Sequence, residues 1–208
     1  MQLFLLLFLG CSAALFGGRP QNWLELEIPL AEAGGFEFSC GSEGRFELSG
    51  YRLLDGRLIL NCEKALSGRL TGGAHYTLIH SRSREESVFK RSHRLEADLS
   101  SRLFSSDRFE LETRTRLEWN RREEEAFWSK RLRQRGRLFL KCEKGVLKGI
   151  STELEAFYHL ERGHLDEWRY IPLEARFSKC SFYGMSRWRR SSAENWKVQF
   201  VAGANLSL

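Results

Sequence analysis

The 208-residue sequence predicts an all-β fold, an up-and-down antiparallel transmembrane β-barrel of about ten strands, with twelve possible. Three observations carry that prediction. Apolar and charged residues alternate strictly over long segments, short turns alternate with longer charged connections, and tryptophans gather beside the longer connections. Composition narrows the field further. With 42% apolar and 12% aromatic residues the chain can build a core, which excludes a disordered polymer. No internal apolar run reaches the ~20 residues of a membrane helix. Membrane strands escape such a test, because they average an apolar and a polar face.

Two regions are expected: a secretory signal peptide over residues 1–14 and a single barrel domain over 22–208. The unbroken apolar stretch from Leu3 to Leu9 runs into Gly10, Cys11, Ser12, Ala13 and Ala14, the small residues of a cleavage site. The segment before it lacks Lys and Arg, so a short anchor or a lipid on Cys11 are the other readings of the same stretch. Beyond it lie Cys40, Cys62, Cys142 and Cys180, with no C-x-x-C pair and no histidine at zinc-like spacing. Export would permit disulfides. Cys40, Cys62 and Cys142 fall on apolar strand faces, which favours buried or lipid-facing free thiols instead.

The elements follow from period-two patterning. Residues 22–30 set Leu24, Leu26, Ile28 and Leu30 against Glu25 and Glu27. Weaker alternation marks strands over 36–48, 58–62, 70–78 and 95–99. From Phe109 the odd positions read Phe109, Leu111, Thr113, Thr115, Leu117, Trp119; the even ones read Glu110, Glu112, Arg114, Arg116, Glu118, Asn120. The next segment opposes Leu132, Gln134, Gly136, Leu138 and Leu140 to Arg131, Arg133, Arg135, Arg137 and Phe139. After it, Ile150, Thr152, Leu154, Ala156 and Tyr158 oppose Ser151, Glu153, Glu155, Phe157 and His159. Further strands are expected over 171–177, 181–188 and 198–208. Several of these exceed the ~5–6 residues usual for a soluble strand.

Short connections fall at 31–35, 65–68, 104–107, 144–148 and 178–181; longer charged ones fall at 50–56, 81–90, 120–129, 161–167 and 189–195. Single-chain bacterial barrels have even strand numbers. Ten strands from Phe36 onward satisfy that rule. Residues 22–30 then either pack in or under the barrel or bring the count to twelve. Trp119, Trp128, Trp168, Trp188 and Trp196 lie at the longer-connection end, as half of an aromatic girdle, and Phe36, Phe104, Phe109 and Phe177 are candidates for the other half. The soluble rival is a periplasmic up-and-down barrel that turns its apolar face inward around a hydrophobic ligand.

Several motifs resemble a known family. They are the opening Asn22-Trp23-Leu24-Glu25-Leu26-Glu27, the His-Arg-Leu-Glu of His93 to Glu96, the Arg-x-Arg-Leu-Glu of Arg114 to Glu118, and the Arg-Leu-Arg-x-Arg-x-Arg-Leu of Arg131 to Leu138. Together they resemble the bacterial domain of unknown function 2490, thought to be outer-membrane barrels. The resemblance implies a Gram-negative outer-membrane location, contact with outer-membrane lipid and lipopolysaccharide, and insertion by the barrel assembly machinery. It implies no activity, and the sequence leaves the oligomeric state open.

If the charged face lines the lumen, Arg114, Arg116, Arg131, Arg133, Arg135 and Arg137 form a ladder needing acidic neighbours. Glu110, Glu112, Glu118, Glu153 and Glu155 are placed to supply them. Two outcomes are open: a salt-bridged polar core, or a narrow small-solute conduit favouring anions. The expectation is non-enzymatic, with no catalytic residue, metal or cofactor. No His-x-Ser pair supplies a lipase nucleophile, and only Asp55 and Asp166 are rim aspartates for a protease. An outer-membrane barrel enzyme acting on lipid or peptide is the weaker alternative. His159, Glu161 and His164 together read as loop composition rather than a metal site. A net charge of +6 and pI of 9.2 do not indicate nucleic acid here, because the arginines alternate with apolar residues and acids.

Overall fold

The computed structural model describes residues 21–47, 52–82, 88–142, 146–190 and 196–207. The expected signal segment 1–14 and Cys11 lie outside them. Eleven strands form one closed barrel: β1 (Gln21–Ala33), β2 (Phe36–Glu47), β3 (Arg52–Ser67), β4 (Leu70–Ser81), β5 (Lys90–Ser105), β6 (Phe109–Arg122), β7 (Ser129–Lys141), β8 (Leu147–His159), β9 (His164–Phe177), β10 (Cys180–Arg190) and β11 (Trp196–Ser207). They run 11 to 16 residues each, matching the length the alternation implied.

Each strand pairs antiparallel with its neighbour in sequence, and β1 pairs parallel with β11 from Gln21↔Val201 to Glu27↔Ser207. The class and the size of the barrel agree with the sequence reading. The closure differs. Residues 21–33 neither pack inside nor under the barrel, nor signal a twelfth strand; they are a full member of the wall. An up-and-down meander with an odd number of strands has first and last strands running the same way, so a parallel seam is the only closure open to it.

The connections also differ in length. Strands β3 and β9 begin at Arg52 and His164, inside the segments expected as longer connections, so Asp55 and Asp166 belong to strands. The β8–β9 connection shrinks to residues 160–163, with Gly163 at a φ of 64°. At the opposite end Gly34 and Gly35 take φ of 61° and 76° in the tight β1–β2 turn, a conformation that costs residues with a Cβ.

Polarity is inverted relative to a soluble barrel. Buried side chains include Arg45, Glu96, Arg116, Glu118, Glu155, Glu167, Glu174 and Arg187, whereas Leu24, Leu58, Leu99, Leu138, Leu154 and Leu173 stand 44–51% exposed on the outer face. The apolar core is one small cluster of Trp23, Tyr183, Met185 and Val201, joined by Ile171, behind the β1–β11 seam. All four cysteines after residue 21 are free and partly exposed.

Candidate functional site: the charged lumen

Alternation puts every second residue of each strand into the lumen, so each strand contributes a column of charge. The ladder arginines and glutamates of β6, β7 and β8 lie on these inward faces. Arg116 binds Asp98 at 2.6 and 2.9 Å, and Glu96 lies at 3.2 Å. Arg131 grips the fully buried Glu118 at 2.6 and 2.9 Å, with Asp166 at 3.7 Å. Arg133 donates to Glu155 at 2.5 Å and lies 3.6 Å from Glu118. Arg137 has only distant partners, Glu112 at 3.6 Å and Glu174 at 3.7 Å. Arg135 lies 3.6 Å from Glu153, and Arg114 lies 3.9 Å from Asp98. Glu110 sits near the short-turn end between Arg102 and Lys141, each at 3.5 Å.

Several lumen residues escaped the sequence reading. Asp98 and Glu96 share the inward parity of β5 with Arg94, alternating with Leu95, Ala97 and Leu99; that parity was the available signal. Glu167, which is fully buried, accepts from Arg169 at 2.5 Å and from Arg187 at 2.7 and 2.8 Å, with Arg189 at 3.2 Å. A hydrogen-bonded belt crosses six strands. Glu27 accepts from Ser39 and Asn61, Asn61 meets His75, and His75 meets Asp98, which holds Arg116. Phe157, also fully buried, is ringed by the guanidinium groups of Arg131, Arg133 and Arg169 at 4.3–5.1 Å. Such stacking holds long cations in place inside a polar lumen.

Two cavities lie along the lumen. The larger, about 900 Å³, opens among the longer connections. Its lining is strongly basic: Arg82, Arg121, Arg122, Arg162, Arg189 and Lys197 are among its cations, against Asp55, Glu125 and Asp166. The smaller, about 320 Å³, lies deeper, toward the short turns. Arg45, Arg57, Arg94 and Arg169 line both, and so form the layer between them. Arg45 packs on Trp23, 3.6 Å from the ring centroid, and is paired with Glu43. Arg57 binds Asp55 at 2.8 Å. Arg94 is the least compensated, hydrogen-bonded at 2.6 Å to the neutral Asn120 with Glu96 3.9 Å away.

Of the expected girdle, Trp119 and Trp188 lie within the last four residues of β6 and β10 on the outward parity at the longer-connection end, Trp168 pairs directly with Trp188, and Trp196 begins β11 and is 45% exposed. Trp128 lies in the β6–β7 connection. Phe36, Phe104 and Phe109 are exposed near the other end, and Phe177 packs edge-on against Phe182. Trp23 is the exception, turned inward and buried. His159 meets Glu161 at 3.1 Å and stacks edge-to-face with His164, while Asp166 turns to Arg131. Among the described residues no group of three or more His, Cys, Asp or Glu is arranged to hold a metal ion. Neither a protein-family model, nor a curated protein, nor a solved structure matches the chain.

Proposed function

We propose that this protein is an outer-membrane-type β-barrel without enzymatic activity, whose charged lumen is a narrow, anion-favouring path for small solutes. One observation carries the membrane reading: leucines cover the outside while ion pairs fill the inside. Water would penalise that outer face across the whole barrel, and hydrocarbon would favour it. The aromatic residues toward both ends and the signal-like stretch before residue 15 support the same reading, as does the resemblance of the strand motifs to domain of unknown function 2490. In that setting the outer face meets lipid, and the barrel assembly machinery inserts the chain.

The anion preference rests on the sequence of spaces inside: a basic mouth, a layer of four arginines, and a deeper chamber. Rings of cationic side chains select for anions in pores. A second reading is favoured by the close pairs Arg116–Asp98, Arg131–Glu118 and Arg133–Glu155, which cross-link neighbouring strands as a closed polar core would.

Expression from the full sequence in a Gram-negative host tests both. The protein is expected in the outer-membrane fraction and to migrate faster unheated than heated in detergent gels. Recovery in the soluble periplasm would overturn the membrane reading. In planar bilayers the purified protein is expected to conduct in small steps with a reversal potential biased to anions. A folded, inserted barrel with no conductance would select the closed-core reading.

A further inference from the structure

The ladder contains two rungs at which arginine faces arginine across paired strands: Arg116↔Arg133 and Arg114↔Arg135. Like charges directly opposite each other are destabilising unless compensated. The first rung is compensated at close range, by Asp98 and Glu96 on one side and Glu155 on the other. The second is not. Asp98 is already engaged by Arg116 and His75 and lies 3.9 Å from Arg114, while Glu153 lies 3.6 Å from Arg135; both exceed hydrogen-bond reach.

The adjoining Arg137 deepens the deficit. Its carboxylates, Glu112 and Glu174, stand 3.6 and 3.7 Å away, and Glu174 also serves Ser151. Three buried donor atoms on this patch lack any acceptor: Nε of Arg135, and Nε and Nη2 of Arg137. A buried N–H without a partner costs free energy, and more so on a charged group. All three arginines border the 320 Å³ chamber, so the uncancelled charge gathers around one space, with the vacant donors buried in its wall.

We propose that this deeper chamber is a binding site for a small oxyanion, held by Arg114, Arg135 and Arg137. A tetrahedral or planar oxyanion supplies several acceptors at once, which suits forked guanidinium donors. Water could accept from the N–H groups, but only an anion also cancels the repulsion across the Arg114–Arg135 rung. At about 320 Å³ the chamber is large enough for a phosphate, sulfate or small carboxylate together with a few waters. Glu25, Glu27 and Glu43 line the opposite part of the chamber and keep the anion on the β6–β7 wall. The site requires only the barrel, so it stands or falls apart from the membrane and conductance readings.

The full chain, refolded in detergent micelles, is titrated with inorganic phosphate, sulfate or acetate while chloride holds ionic strength constant. The urea midpoint is the readout. Phosphate or sulfate is expected to raise the midpoint saturably, and acetate to do so more weakly; the reverse order would assign the site to carboxylates. R137Q and R135Q are expected to abolish the shift and R162Q, at the mouth, to preserve it. Should either lumen variant fail to refold, the parent is treated with an arginine-selective dicarbonyl and mapped by mass spectrometry. Phosphate is then expected to protect Arg135 and Arg137 and to leave Arg162 reactive. Equal midpoints in phosphate and chloride, loss of the shift in R162Q alone, or protection confined to mouth arginines would each overturn the proposal.

Discussion

Tyr183 lies over Gly203, its direct partner on the adjoining strand, so closely that a Cβ at position 203 would come within 2.0 Å of the ring's Cζ. The same row continues across the seam: Gly203 pairs with Trp23, Trp23 pairs with Arg45, and the Arg45 guanidinium stacks on the indole. A missing side chain in β11 thus lets β10, β11, β1 and β2 lock together where the barrel closes. The clasp also positions one of the four arginines between the two lumen spaces.

Gly203→Ala is expected to destabilise the barrel, because the added methyl must displace a buried ring; overpacking of this kind costs about 1–3 kcal/mol. Gly136→Ala is the control, since a Cβ there meets nothing within 4 Å. Urea titrations of the two refolded variants should separate them, and equal midpoints would show that the clasp contributes nothing.

Leu138 faces outward near the middle of β7 and is 44% exposed. If lipid covers it, Leu138→Arg should cost about 2–4 kcal/mol and impair assembly, and Thr113→Arg, paired across from Gly136, should behave alike. In a cysteine-free background, a water-soluble thiol reagent should label Glu124→Cys in the β6–β7 connection and spare Leu138→Cys in vesicles. The opposite labelling pattern would place water on the outer face.

Arg133→Ala removes the 2.5 Å hydrogen bond to Glu155 and a second cation from Glu118, leaving two buried carboxylates short of charge. Breaking a dry buried pair costs about 3–5 kcal/mol, and lumen water should reduce that. A clear fall in urea midpoint is expected. An unchanged midpoint would mean that water already solvates Glu155.

Arg94→Gln should do the opposite. Its close partner is the neutral Asn120, so no carboxylate is stranded at hydrogen-bond distance and the midpoint should move little. One positive charge nevertheless leaves the layer between the two spaces, so the reversal potential in an asymmetric chloride gradient should shift toward zero. An unchanged reversal potential in a conducting barrel would remove Arg94 from the path.

Alternation alone laid out most of the strands and their two faces, and it put Glu118, Glu153 and Glu155 beside the arginines of β7 while passing over Asp98 and Glu96. A period of two is local information: Leu111, Glu112 and Thr113 declare their faces without reference to any other strand. The tertiary structure alone decided how the ends meet. Whether residues 21–33 joined the wall depended on pairing with β11, nearly the whole chain away, and the strand's own alternation suits an inner layer or a wall equally well. The same holds inside the lumen. Parity places Arg45, Arg57, Arg94 and Arg169 on inward faces, but only closure of the barrel brings β2, β3, β5 and β9 around one layer. Likewise, the sequence offers Glu153 to Arg135 as a partner, and only the geometry leaves them 3.6 Å apart with a buried Nε unanswered. Distances of a few tenths of an ångström decide whether a charge is satisfied, and such distances arise from packing across strands rather than from patterning along them.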